Sequence, residues 1–139
     1  MEIMGIPVHL GAIALSTAVA FGIGMIWHSL LFGRQWLEEQ RFSEAQKKEL
    51  GNNMQVPMIV SIFGYLTTAI VMSLLFGYMN VTDFSKALTM TFLLWLGFPF
   101  VMGLTGTLYG GRSLKGFLID AGYHLAYLSA MAVILVTLK

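Results

Sequence analysis

The sequence predicts an all-α, four-helix transmembrane bundle. Of its 139 residues, 57% are hydrophobic and 11% are charged, and the mean hydropathy is +0.76. A soluble domain is usually about 25% charged. Since this chain has less than half of that, we expect the lipid bilayer to be its main partner. Four long stretches also lack Lys, Arg, Asp and Glu, except for Asp120 in the last one. In lipid, helices satisfy their own backbone hydrogen bonds.

These stretches predict helices at about 8–32, 55–79, 86–109 and 115–138, within a single integral membrane domain covering 1–139. Each is longer than the roughly 20 residues that a spanning helix needs. The first has no basic residue before it, so we interpret it as a retained helix rather than a cleaved signal.

The residues at the helix ends agree with these bounds. Pro57 suits the first turn of the second helix, and Thr82 or Asp83 can cap the third. Gly110 and Gly111 form a helix stop before Ser113, which can cap the fourth helix. The pattern therefore predicts tight turns between the last helices.

The interfacial loop at 33–54 is the most polar part of the sequence. Ser43 and Gln46 resemble a capping box, so we expect the loop to be partly helical. Trp36 and Phe42 are expected to rest on the lipid headgroups. The loop is interpreted either as a solvated connector or as a gate or docking surface.

The basic residues predict the orientation. Six of the eight lie in the loops after the first and third helices, which places those loops in the cytoplasm and both termini outside. These six are Arg34, Arg41, Lys47, Lys48, Arg112 and Lys115, and the other two are Lys86 and Lys139. The expected location is an inner (cytoplasmic) membrane.

Small residues and one proline predict how the helices meet. Close helix contacts in lipid need small side chains, and these recur every four residues on three helices. The stripes are Ala12, Ser16, Ala20 and Gly24; Ala69, Ser73 and Gly77; and Gly122, Ala126 and Ala130. We expect them to pack the bundle and to support a homo-oligomer. Pro99 should break the third helix in mid-membrane.

Asp120 and His124 are the candidate functional residues of the fourth helix. They are four residues apart and share one helix face. His28, Tyr109 and Tyr123 are expected at a similar depth, so three helices bring polar groups to one layer. Ionisable groups inside a membrane usually face the interior and have partners. We therefore expect Asp120 and His124 to form one interacting unit.

Several roles fit this layer. A carboxylate and an imidazole could bind and release a proton. His28, Asp120 and His124 are weak candidates for a metal site, and His28 with His124 could ligate a haem. The cluster could also be only a packing clamp. The leading interpretation includes no cofactor.

Other classes of function are disfavoured. The net charge of +1 does not suggest nucleic acid, and the absence of cysteine removes thiolate chemistry. No phosphate-binding loop, metalloprotease helix or nucleophile motif is found, so an enzyme is not the expected class.

The stretches "GMIWHSLLFGRQW" (24–36) and "LIDAGYHLAYLSAM" (118–131) resemble a family of small bacterial membrane proteins, domain-of-unknown-function family 1761. The resemblance covers essentially the whole chain. Trp27, Arg34, Trp36 and Gly122 match the pattern, and we assign structural roles to them and to Pro99. His28 departs from it, because a tyrosine is usual there, and this weakens the haem and metal hypotheses.

The resemblance implies a four-helix membrane protein and supplies no activity. We therefore expect a small oligomeric membrane protein that handles protons or a small solute through its Asp–His layer. The alternatives are a non-catalytic structural protein, or a subunit of a larger membrane assembly, whose polar layer is a clamp. A third is a haem- or metal-binding membrane protein.

Overall fold

The computed structural model describes residues 1–138, and its architecture is almost entirely helical. A short antiparallel hairpin, β1 (Glu2–Ile3) and β2 (Ile6–Pro7), precedes the helices. Its turn residues Met4 and Gly5 both have positive φ, as a tight two-residue hairpin loop requires. The sequence patterns did not predict this hairpin.

Four helical segments are long and apolar enough to cross a membrane, which confirms this part of the predicted fold. We call them spans 1 to 4, and they are Leu10–Leu31, Gln55–Tyr78, Phe84–Tyr109 and Leu114–Thr137. Span 1 consists of α1 (Leu10–Ile26) and a π-helical turn, Trp27–Leu31. Span 2 is α4 (Gln55–Tyr78), and span 4 is α7 (Leu114–Thr137).

Span 3 is interrupted where the sequence places its proline. It consists of α5 (Phe84–Trp95), a π-helical turn at Leu96–Phe100 and α6 (Val101–Tyr109). Pro99 lies in this turn. Since proline has no backbone N–H to donate, a wider turn replaces regular α-helical bonding there.

Two short helices lie in the loop between spans 1 and 2. They are α2 (Gly33–Gln40) and α3 (Glu44–Asn52), separated by Arg41, which has a left-handed conformation. Ser43 and Gln46 form the expected capping box at the start of α3. Glu39 of α2 accepts a hydrogen bond from Ser113, so the loop packs beside the turn that enters span 4.

Span 4 packs against spans 1, 2 and 3 and forms the centre of the bundle. The small residues of span 1 are used inside the chain: Ala12, Ser16 and Ala20 are at most 1% exposed. Ala69 of span 2 is also fully buried. These small side chains let the helices approach closely, so part of the stripes expected to serve subunit contacts serves internal packing.

Candidate functional site

All three tryptophans of the chain donate hydrogen bonds to consecutive residues of span 4. Trp27 of span 1 donates to the Ile119 carbonyl at 3.0 Å, and Trp95 of span 3 donates to the Ala121 carbonyl at 3.0 Å. Between them, Trp36 of α2 donates to the Asp120 carboxylate at 2.9 Å. An indole N–H needs a partner once it is buried, and these bonds join three elements to one turn of span 4.

Asp120 is the only one of these three acceptors that uses its side chain. Its Oδ1 accepts from Trp36 Nε1 and lies 3.1 Å from His28 Nε2. Within the part of the chain that the structure describes, no donor reaches Oδ2. The carboxylate is thus fixed through one oxygen, while the other remains available to a ligand or water.

His28 is oriented by its own helix. Its Nδ1 lies 3.2 Å from the Gly24 carbonyl, and its Nε2 faces Asp120. A carbonyl oxygen only accepts, so the hydrogen bond to Gly24 requires a proton on Nδ1. A neutral ring would then carry no proton on Nε2. Both contacts are hydrogen bonds at the same time only when one additional proton lies between the imidazole and the carboxylate; in a neutral ring, the tautomer decides which of the two is a hydrogen bond.

The π-helical turn at Trp27–Leu31 contains His28. In this turn the Phe32 N–H reaches back to the Trp27 carbonyl, five residues earlier. Such single π-helical turns often occur at functional sites. Here, Trp27 and His28 are neighbours in sequence and contact Ile119 and Asp120, which are neighbours on span 4.

Aromatic rings enclose the His28 imidazole. Trp36 meets it edge-on with ring centroids 5.2 Å apart, and Tyr123 does so at 4.9 Å. The Tyr123 hydroxyl in turn hydrogen-bonds to the hydroxyl of Tyr65 on span 2. Spans 1, 2 and 4 and helix α2 therefore meet at this cluster.

Asp120 makes its direct side-chain contact with His28 rather than with His124, and the interaction of Asp120 with His124 stays a prediction. His124 forms no hydrogen bond with Asp120, and its ring instead packs on Tyr123 and Tyr127. The four-residue spacing does place both side chains on one side of span 4. The group that reaches the carboxylate is nevertheless His28, whose Nε2 lies 3.1 Å from Asp120 Oδ1. Tertiary packing, rather than helical spacing, selects the partner.

Tyr109 does not join the cluster. It is 90% exposed at the end of span 3. Its expected position beside Asp120 is therefore wrong. Arg34 is also exposed, in an ion pair with Glu38 at 3.4 Å, which contributes little to stability at a surface.

Two residues of the site differ from the sequence-based expectation. Trp36 was expected on the headgroups, but its indole turns inward because Asp120 supplies an acceptor. Tyr65 was not identified as a site residue. One signal for it exists in the sequence, since a phenol hydroxyl within an apolar span needs a polar partner.

The cluster separates two cavities, and Asp120 and His124 line both. The apolar cavity lies between spans 1, 2 and 4, has a volume of about 630 Å³ and includes Met25, Met58 and Tyr65 in its walls. The polar cavity lies beside span 3 and the loop helices and has a volume of about 750 Å³. Arg41, Arg112 and Glu39 are among its lining residues.

The weak metal candidates do not assemble into a ligand set. Within residues 1–138, no group of three or more His, Cys, Asp or Glu side chains is placed to hold a metal ion. His28 and Asp120 are in contact, whereas His124 turns toward the tyrosines.

Four apolar helices of spanning length, joined at one end by a polar cluster, define a candidate integral membrane protein. The family model described as "Protein of unknown function (DUF1761)" matches residues 11–136. The chain belongs to this family, and the match confirms the resemblance seen in the sequence. No curated protein and no solved structure matches the chain. Its activity must therefore be inferred from the site.

Proposed function

We propose that this chain is an integral membrane protein that takes up and releases a proton at the His28–Asp120 pair, and so handles protons or a small solute. The observation that carries the proposal is the hydrogen bonding of His28 at both ring nitrogens. A neutral imidazole has only one N–H, so it cannot donate to both Gly24 and Asp120. Hydrogen bonds at both nitrogens therefore need one additional proton on the pair. That proton can leave, because Asp120 lines both cavities and His28 lines the apolar one.

The position of the pair supports a role in proton exchange within an apolar span. The side chains of His28 and Asp120 are 26% and 36% exposed, although both belong to apolar spans. Charged groups are costly inside a bilayer and usually mark proton or ion pathways when present. Residues of the loop helices line both cavities, so the pair exchanges its proton at this end of the bundle.

Proton flux into liposomes tests this function. We expect wild-type protein to conduct protons under an imposed membrane potential, and Asp120→Asn to reduce the flux to that of protein-free liposomes. Trp95→Phe is the matched control, since it removes a hydrogen bond to the same turn of span 4 but leaves the pair intact. Equal fluxes in wild type and Asp120→Asn would contradict the proposal.

A packing clamp is the second candidate, and one observation favours it. Trp36 and His28 both bond to the same oxygen of Asp120, which ties α2 and span 1 to span 4. A fully structural role predicts that Asp120→Asn folds and that no proton flux depends on the carboxylate. The chain would then be a non-catalytic membrane protein or a subunit of a larger assembly.

We further propose that the end carrying α2 and α3 faces the cytoplasm of a bacterial inner membrane, with both termini outside. The excess of basic residues near this end supports the orientation. We also propose a homo-oligomer. Its support is an exposed stripe on span 2, formed by Val60, Gly64, Thr67 and Val71 at helical spacing, where Gly64 would allow close approach of another helix.

A further inference from the structure

We infer that the apolar cavity binds a small organic cation with an apolar body, which replaces the proton of the His28–Asp120 pair. This inference rests on the proposed proton uptake and adds the class of solute. It concerns the cavity of about 630 Å³ between spans 1, 2 and 4. Cavities of this size bind drug-sized ligands.

The charge of the cavity selects a cation. Among the described residues that line it, Asp120 is the only Asp, Glu, Lys or Arg. Arg41 and Arg112 line the polar cavity on the other side of the cluster instead. The walls of the apolar cavity also contain the imidazoles of His28 and His124, and His28 is already paired with Asp120. Once the pair has lost its proton, an anion would meet the uncompensated carboxylate, whereas a cation would meet its counter-ion.

The carboxylate has an oxygen free for this role. Trp36 and His28 both bond to Oδ1, and Oδ2 has no donor among residues 1–138. The two bonds hold the group in place without occupying Oδ2. A cationic ligand could therefore approach Oδ2 while the connection to Trp36 remains intact.

The walls fit the rest of such a ligand. The rings of Phe21, Tyr65 and Tyr123 line the cavity and can contact a cation through their π faces. Met25 and Met58 lie in the walls as well. Flexible methionines adapt to ligands of different shape, so we expect tolerance of the apolar body and selectivity for the charge.

The proton balance couples the two ligands. With the additional proton, His28 and Asp120 carry no net charge together. Loss of that proton from His28 Nε2 to water leaves a neutral imidazole and a carboxylate, with a net charge of minus one. A monocation then restores neutrality, so its binding favours proton release. No other reactant is needed for this exchange.

Direct binding to purified protein in detergent tests the inference. The probe is benzyltrimethylammonium, and the control ligand is phenylacetate, which has the same ring and the opposite charge. We expect the cation alone to bind and to release about one proton per chain into a weakly buffered solution. Asp120→Asn should weaken binding roughly ten- to a hundredfold, as expected for loss of a charged partner.

Two cavity-filling variants locate the probe. Ser61→Phe fills the apolar cavity without altering Asp120, and we expect it to abolish binding. Gly106→Phe is its matched control, because Gly106 lines the polar cavity and has open space at its Cβ position. This variant should bind as the wild type does. If Asp120→Asn fails to fold, the comparison of these two variants decides the outcome.

Several results would overturn the inference. They are no binding of the cation, equal binding of phenylacetate, binding without proton release, and greater sensitivity to Gly106→Phe than to Ser61→Phe. Asp120-dependent proton flux in liposomes without cation binding would overturn only the solute class. If the cation binds but the protein conducts no protons when the cation is absent, the inference stands, and free proton conduction is ruled out as the function.

Discussion

The connection between Trp36 and Asp120 can be measured as a coupling free energy. Trp36→Phe keeps an aromatic ring but removes the indole N–H, and Asp120→Asn keeps the shape of the acceptor but removes its charge. The wild-type contact is 2.9 Å long and involves a carboxylate. Hydrogen bonds to charged groups contribute about 1.5–3 kcal/mol in general. Interhelical bonds in membrane proteins average about 0.6 and reach about 1.7 kcal/mol.

We therefore expect a coupling of about 1–2 kcal/mol between these two substitutions in a double-mutant cycle. The assay is reversible unfolding in detergent, followed by circular dichroism for the two single variants and the double variant. Asn can still accept from Trp36 but carries no charge, so the cycle measures the charge-assisted part of the bond. The second substitution should therefore cost less once the first has been made. The double variant should be more stable than the sum of the two single effects implies.

Trp95→Phe combined with Asp120→Asn is the control cycle. Trp95 donates to the Ala121 carbonyl and shares no partner with Asp120. Its effect should add to that of Asp120→Asn within about 0.5 kcal/mol. If the coupling between Trp36→Phe and Asp120→Asn is no larger than that of the control cycle, Trp36 does not donate to Asp120. The indole would then be placed at the lipid headgroups instead.

Three further predictions test packing, assembly and orientation. Gly24→Ala should be less stable than Gly22→Ala by about 1–3 kcal/mol in the same unfolding assay. The new methyl group at Gly24 would lie 2.7 Å from the Tyr123 hydroxyl, whereas the Cβ position at Gly22 has open space. Equal stabilities would contradict this packing. Native mass spectrometry in mild detergent should show one species larger than the monomer, and Gly64→Leu should convert it to monomer; a wild-type monomer in every detergent and in nanodiscs would rule out the oligomer. Alkaline phosphatase fused after Lys139 should be active in a bacterial host, and an active cytoplasmic reporter at that position would reverse the proposed orientation.

Local chemistry made the helices predictable. Long runs without charge have one economical structure in lipid, so four spanning helices could be inferred from composition and length. The capping box of Ser43 and Gln46 involves residues three apart and needs no tertiary contact. The break at Pro99 likewise follows from the missing backbone donor.

Only some of the residues of the site could be predicted from the sequence. Asp120 and His28 stood out because ionisable residues are rare in spans and need partners. The sequence could rank partners only by spacing along one helix, and this favoured His124. The actual partners, His28 and Trp36, are 92 and 84 residues away in sequence.

The sequence by itself determined that the chain forms apolar helices of spanning length and that any ionisable chemistry within them centres on span 4. Only the tertiary structure decided which donors reach Asp120 and that the carboxylate stands between two cavities. The physical reason is that hydrophobicity and helix capping are local properties. The rotation of each helix about its axis depends on the packing of all its neighbours, and that rotation brings Trp36 inward and leaves Tyr109 outside.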